Sequence, residues 1–151
     1  MERESWLLAI LYSPGRSGAE NEAMDPVRIM KSLFLLGKEA EDQLSNFYEF
    51  EPYLYGPCSF EVYEDLDALK RKGLIDEERL PYRRWSYYSL TGKGSIQAKK
   101  SFGEISDPVR EKMTEIKKLV MELPFLSLLR YVYERYPEYG KQSLIRVSTG
   151  G

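Results

Sequence analysis

The residues of this chain that could do chemistry are basic side chains concentrated between positions 68 and 100. That segment holds nine lysines and arginines against three carboxylates, a net charge of +6. Such side chains neutralise phosphates and displace the counterions around a nucleic acid. The pair Arg83-Arg84 resembles a basic finger suited to a minor groove. Together with two aromatic neighbours expected outside the core face, the candidate nucleic-acid contacts are Lys70, Arg71, Lys72, Arg79, Arg83, Arg84, Trp85, Tyr87 and Lys93. The bland alternative for the run at 70–72 is a solvated helix end.

The segment before it, positions 38–67, is acidic. It carries nine carboxylates against one lysine, a net charge of −8, so the overall charge of −2 is a cancellation. Glu61, Glu64 and Asp65 are candidate contacts for a basic protein partner. With Asp67 they exceed the negative charge that a helix N-terminus favours. They disfavour base reading by this helix and leave contacts to the DNA backbone by the following segment. A divalent cation is a weaker alternative, and we expect neither a metal nor a cofactor.

Catalysis has little to work with in this composition. The chain of 151 residues has no histidine and a single cysteine, Cys58. Histidine-based nucleophilic catalysis, histidine-ligated zinc and an intrachain disulfide are therefore excluded. Cys58 is expected to be a small buried hydrophobe, with a reactive thiol as the alternative if a basic neighbour exists. The Gly-containing loop at 14–18 lacks the Gly-Lys-Thr ending of a phosphate loop. We expect a protein that is not an enzyme.

Helical and extended segments alternate in the first half of the chain. An almost entirely apolar helix is predicted for Glu4–Ser13, and such a helix is usually buried. Asp25-Pro26 combines an N-cap residue with proline at the first helical position, and the helix it opens runs to about Glu39. The aromatic segment Phe47–Pro57 is predicted to be extended and to lead into a turn at Gly56-Pro57. Its rings are expected in the core, with a stacking platform as the alternative.

The middle of the chain alternates a helix, two strands and another helix. Apolar residues at helical spacing follow Ser59, and Gly73 ends that helix with a positive φ. A strand begins at Leu74-Ile75, a charged tip spans 77–84, and a second strand spans 85–90. Thr91 caps a further helix that runs to about Ser101.

Two helices are predicted after residue 104. Asp107-Pro108 repeats the helix-start signal, and Pro124 separates the two helices. An apolar stripe from Val109 to Val120 either packs on the rest of the chain or forms the seam of a homodimer. We therefore divide the chain into residues 1–103, a helical extension at 104–146 that packs on them or pairs two copies, and a frayed tail at 147–151.

Two segments resemble parts of a winged helix-turn-helix domain. LDALKRKGLI at 66–75 is similar to the end of the third helix and the first wing strand, and YYSLTGKG at 87–94 is similar to the second wing strand and the turn after it. The order of elements from 26 to 91 is the order of that fold. The resemblance implies a mainly α fold with a small β-hairpin wing, here with added N- and C-terminal helices.

A narrower resemblance covers roughly residues 5–92. RIMKSLFLL at 28–36, FEPYLYGP at 50–57 and VYEDL at 62–66 are similar to a group of prokaryotic winged-helix proteins, including the phage-associated, antitoxin-like Panacea domain. That group has a Lys-x-Leu-(Phe/Tyr) helix, a Tyr-Gly-Pro turn and a Val-Tyr-x-x-Leu helix. Its functions are diverse, so the resemblance implies a fold and no catalytic residue.

Three classes of function follow. The first is a homodimeric DNA-binding transcriptional regulator of the winged-helix type, which contacts mainly the DNA backbone through the wing. The alternative is a non-enzymatic interaction module, antitoxin-like or an adaptor, that uses the acidic third helix. An enzyme ranks below both. The only early apolar run, Trp6–Tyr12, is too short to span a bilayer and has no cleavage site after it, so we expect a cytoplasmic protein without a membrane partner.

Overall fold

The computed structural model describes residues 1–15 and 22–144 of the chain. Six α-helices lie in this described part: α1 (Arg3–Tyr12), α2 (Pro26–Glu39), α3 (Phe60–Arg71), α4 (Gly92–Glu104), α5 (Asp107–Glu122) and α6 (Phe125–Arg135). Two antiparallel hairpins accompany them: β1 (Glu51–Tyr53) with β2 (Gly56–Cys58), and β3 (Ile75–Glu78) with β4 (Tyr87–Leu90). The predicted fold class, mainly helical with a small hairpin, is confirmed. The tail predicted at 147–151 lies outside the described residues.

Local signals set the predicted helix boundaries. The Asp25 carboxylate accepts a hydrogen bond of 2.9 Å from the Arg28 backbone N–H and so caps α2. The Thr91 hydroxyl caps α4 by accepting from the Gly94 N–H at 2.9 Å. Gly73 follows α3 with a φ of +75°, the left-handed conformation that a side chain disfavours. Each of these three features depends only on residues a few positions apart in the chain, which is why the sequence alone predicted them.

Helix α1 forms the centre of the hydrophobic core. Every residue from Trp6 to Tyr12 is buried, as an apolar pattern on all sides of a helix predicts. Helices α2, α3 and α4 and strand β4 all contact it. The core therefore joins the N-terminal helix to the elements on which the basic segment is carried.

The second hairpin gains a third chain segment from a distant part of the sequence. Strands β3 and β4 pair with Ile75 opposite Leu90 and Glu78 opposite Tyr87. On the other side of β4, Met24 forms an antiparallel bridge with Tyr88, and their backbone N–H and carbonyl groups exchange bonds of 2.9 and 2.8 Å. We call β3, β4 and residues 79–86 between them the wing. The bridge fixes the wing to the start of α2.

The aromatic segment folds differently from its prediction. A turn at Gly56-Pro57 was expected, but the chain reverses at Leu54-Tyr55, and Gly56 and Pro57 lie in the second strand. Pro52 pairs with Pro57, so neither residue can donate to the ladder, and the bonding falls to the pairs on either side. Gly56 has a φ of +95°, which lets the chain leave the turn without steric strain.

The C-terminal helices pack on the first part of the chain. The predicted stripe on α5 is buried within the monomer, where α5 lies against α2. Arg28 on α2 donates to the carbonyl oxygens of Val120 and Leu123 at 3.3 and 2.8 Å, which satisfies the C-terminal end of α5. Of the two predictions for this stripe, intrachain packing is the one observed. A homodimer seam would have to use other residues.

Candidate nucleic-acid interface

The wing presents three arginines that belong to no ion pair of the described residues. Arg79, Arg83 and Arg84 are exposed, and Tyr82 beside them is fully exposed with a φ of +68°. The three arginines, which we call the basic wing tip, lie on the segment between β3 and β4. Their positive charge is thus available to an external anion.

Aromatic rings support the root of the wing tip. The guanidinium of Arg84 lies 5.6 Å from the ring centre of Trp85 and 5.8 Å from that of Tyr55, and its Nη1 donates to the Tyr55 hydroxyl at 3.2 Å. Trp85 packs in turn on Phe125 of α6, with 5.1 Å between ring centres. Trp85 is half-buried in this ring cluster, outside the main core as predicted. The cluster restricts Arg84 and links the wing to the C-terminal helices.

The remaining aromatic candidate, Tyr87, lies on β4 and is half-buried. The guanidinium of Arg83 lies 5.9 Å from its ring centre. Two of the three arginines of the basic wing tip, Arg83 and Arg84, therefore rest against an aromatic face, and both remain exposed to solvent.

The basic end of α3 is largely neutralised by neighbouring carboxylates. Lys70 pairs with Glu77 of β3 at 2.9 Å, and Lys72 pairs with Glu4 of α1 at 2.6 Å. The ammonium of Lys93 donates to the backbone carbonyl of Lys72 at 3.3 Å. Arg71 is exposed and outside the ion pairs of the described residues. Among the described residues the wing tip therefore carries three unpaired arginines, whereas the end of α3 keeps one unpaired arginine, Arg71.

Asp65, predicted as a contact for a partner, faces the interior. Its carboxylate accepts two bonds of 2.9 Å from the Arg3 guanidinium and one of 2.6 Å from the Tyr48 hydroxyl. The residue is 7% exposed and cannot meet a partner, which corrects its prediction. The sequence could not show this, because Arg3 lies 62 positions away.

Glu61 and Glu64 remain at the surface beside three exposed aromatic residues. Of these, Tyr53 belongs to the segment whose rings were expected in the core, and the other two were not singled out as candidates. Glu61 pairs with Arg3 at 2.5 Å, while Glu64 is exposed. Beside them Tyr53, Phe60 and Tyr63 are 40%, 49% and 41% exposed, and the first two rings lie 5.2 Å apart. We call Tyr53, Phe60, Glu61, Tyr63 and Glu64 the acidic–aromatic face. Four of its residues lie in the first half of α3, where a recognition helix would approach base edges, and Tyr53 lies beside them on β1.

The burial of two lysines was also not predicted from the sequence. Lys31 on α2 is 1% exposed, and Lys117 on α5 is 0% exposed. Lys117 donates to the carbonyl oxygens of Leu11 and Ser13 at 2.9 and 2.8 Å and so completes the C-terminal end of α1. Burial lowers its pKa to about 8. The sequence did contain one indication of their burial, because each lysine lies on a helix face otherwise occupied by apolar residues.

Neither a comparison with protein-family profiles nor a search of curated proteins finds a match for this chain. Within residues 1–15 and 22–144, no cluster of three or more cysteine or carboxylate side chains is placed to hold a metal ion. None of the described helices combines the length and apolar character needed to cross a bilayer.

Proposed function

We propose that this chain is a DNA-binding protein of the winged-helix type that contacts mainly phosphates through the basic wing tip. The observation that carries the proposal is the position of Arg79, Arg83 and Arg84, which are exposed and unpaired among the described residues. Aromatic rings also lie against Arg83 and Arg84. Helix α1, the bridging residue Met24, helices α2 and α3 with the β1–β2 hairpin between them, and the β3–β4 hairpin follow one another along the chain, which matches the order of a winged helix apart from the inserted β1–β2 hairpin. The order supports the assignment to that fold group.

The same geometry favours contacts to the backbone over reading of bases. The acidic–aromatic face would repel phosphates where a recognition helix normally enters the major groove. A wing tip with two adjacent arginines fits the narrow, electronegative minor groove. We therefore expect modest sequence specificity and a strong dependence of affinity on salt.

A salt titration tests this function. Affinity for duplex DNA is measured by fluorescence anisotropy for the wild type and for R83A/R84A. The plot of log affinity against log salt has a negative slope. If both arginines neutralise phosphates, the magnitude of that slope is smaller by about 2 in the variant. The matched control, K118A/R130A, removes two exposed positive charges from the C-terminal helices and should leave the slope unchanged. An equal slope in all three proteins contradicts the proposal.

The acidic–aromatic face favours a second function, a non-enzymatic interaction module. Exposed rings rimmed by carboxylates are typical of a surface that binds a basic protein. Pull-down from lysate with the wild type, with F60S/E64K and with the control E111K on α5 tests it. The face is excluded if F60S/E64K retains the same partner as the control.

We also keep the homodimer and the cytoplasmic location as proposals. Because the stripe on α5 is buried within one copy, a dimer must form through other parts of the C-terminal helices, such as the half-exposed Leu126. Light scattering of the wild type and of L126R decides whether a dimer exists and whether that residue holds it. Cell fractionation tests the location.

A further inference from the structure

A buried amine borders a small cavity between α2, the β1–β2 hairpin and the root of the wing. The cavity has a volume of about 150 Å³. Its lining comprises Val27, Met30, Lys31, Tyr53, Leu54, Tyr55, Pro57, Cys58, Tyr63 and Trp85. It is smaller than the pockets that bind drug-sized molecules, so its size suits a ligand of few non-hydrogen atoms.

Lys31 lacks an anionic partner in this setting. Its ammonium donates to the backbone carbonyl of Tyr55, and it belongs to none of the ion pairs among the described residues. An amine buried in this way is costly to ionise, and burial lowers the pKa of Lys31 to about 7. A buried charge is normally paired, so the cavity beside Lys31 lacks the one group that would stabilise the ammonium.

The other polar side chains of the cavity wall are donors as well. Burial raises the pKa of the Cys58 thiol and of the Tyr63 hydroxyl, so both keep their protons at neutral pH. No carboxylate of the described residues lines the cavity, and the rest of its lining is aliphatic and aromatic, including the phenols Tyr53 and Tyr55. A site that combines these donors with an aliphatic and aromatic lining suits a molecule with an anionic acceptor and an apolar body.

We propose that this cavity is a binding site for a small apolar carboxylic acid, whose carboxylate pairs with the Lys31 ammonium while its hydrocarbon part lies against Tyr55, Pro57 and Trp85. The proposal does not depend on DNA binding. Trp85 and Tyr55 also support Arg84, so an occupant would touch the same rings that order the wing tip.

Binding of a carboxylate should draw a proton onto Lys31. The charged and titratable groups that act on Lys31 are Cys58 of β2 and Asp25 at the start of α2. The Lys31 amine and the Tyr133 hydroxyl of α6 both lie beside Gly56, 3.3 and 3.4 Å from the position that a Cβ would take there. Asp25 is already held by Arg28 at 2.9 Å. A ligand carboxylate in contact with the ammonium therefore supplies the missing negative charge and favours the protonated amine.

Calorimetric titration with benzoate tests the site, with benzyl alcohol as the neutral analogue of the same shape. We expect saturable binding of benzoate, at least about tenfold weaker binding of benzyl alcohol, and uptake of protons at a pH slightly above neutral. Replacing the amine in K31M should weaken benzoate about tenfold or more. The matched control K38M changes an exposed lysine of the same helix and should bind like the wild type.

The wild-type protein supplies a second measurement that needs no variant. Because Cys58 lines the cavity, benzoate should slow its alkylation by iodoacetamide, and benzyl alcohol at the same concentration should not. No saturable binding of benzoate, acetate or hexanoate in the millimolar range overturns the proposal. Equal affinity for benzoate and benzyl alcohol, or for wild type and K31M, also overturns it.

Discussion

Arg3 and Asp65 join the first and third helices through two nitrogen–oxygen contacts of 2.9 Å. The Tyr48 hydroxyl donates to the same carboxylate at 2.6 Å, and the Arg3 guanidinium lies 5.5 Å from the Tyr48 ring centre. The hydrogen bond to Asp65 raises the pKa of Arg3, and burial together with the hydrogen bond to Asp65 raises the pKa of Tyr48. The three residues form one hydrogen-bonded network, so we expect the effects of substituting them to be non-additive.

Substitution of Asp65 by alanine should lower the free energy of unfolding by about 2–3 kcal/mol. The variant removes one of the two carboxylates that pair with Arg3 and leaves the buried Tyr48 hydroxyl without its acceptor. Urea denaturation measures the change. Asp67 lies on the same helix and is exposed, so D67A serves as the control with an expected change below about 0.5 kcal/mol. A double variant R3A/D65A that is no less stable than D65A would confirm the coupling.

Two glycines of α4 should respond to alanine in opposite directions. A Cβ at Gly94 would lie 1.7 Å from the backbone oxygen of Leu74, whereas nothing lies within 4 Å of a Cβ at Gly103. Because the Cβ at position 94 would clash with backbone, G94A should lower the free energy of unfolding by about 3 kcal/mol or more. G103A should gain roughly 0.5–1 kcal/mol from helix propensity. Thermal unfolding of both variants measures the difference, and equal melting temperatures would contradict the close approach of α4 to Leu74.

Stability should rise with pH from about 7 to about 10. The pKa of Lys31 is lowered to about 7 and that of Lys117 to about 8, from an ordinary value of 10.5. Between these values the unfolded chain binds more protons than the folded chain, so the free energy of unfolding increases with pH. The slope is roughly 1 kcal/mol per pH unit for each lysine that is neutral only when folded.

Above about pH 10 the trend should reverse. Burial raises the pKa of Tyr88 from 10.0 to about 12 and that of Tyr48 further, so the unfolded chain loses phenolic protons first. Urea midpoints across this range give the curve. K31M should flatten the rise, while K38M should reproduce the wild-type profile. A profile of K31M that rises as steeply as the wild type between pH 7 and 8 would show that Lys31 titrates normally.

Removal of the Phe125 ring should weaken the packing around Trp85, which links the wing to α6. Trp85 packs on Phe125 at 5.1 Å and on Tyr55 at 5.6 Å between ring centres. F125A should therefore lower the free energy of unfolding by about 1–3 kcal/mol. It should also shift the fluorescence emission of Trp85 to longer wavelength, because water reaches the indole. The chain has two tryptophans, so a W6F background isolates the signal. The neighbouring Leu126 is 53% exposed, and L126A should change neither quantity.

Some features of this protein are determined by residues close together in sequence. The caps at Asp25 and Thr91, the left-handed Gly73 and the apolar first helix follow from side chains within one or two helical turns. The division into an acidic and a basic segment is equally local, because it requires only the order of charges along the chain. These features could be predicted because each depends on short-range sterics, hydrogen bonding and burial.

Only the tertiary structure decided which of these charges are available. Arg3 reaches Asp65 from 62 positions away and removes it from the surface, and Glu4 and Glu77 neutralise Lys72 and Lys70. The exposed arginines of the wing tip remain available because no carboxylate of the described residues pairs with them. The cavity beside Lys31 likewise exists only where α2, the β1–β2 hairpin and Trp85 meet. Pairing and desolvation depend on distance in space, and the sequence fixes that distance only through the complete fold.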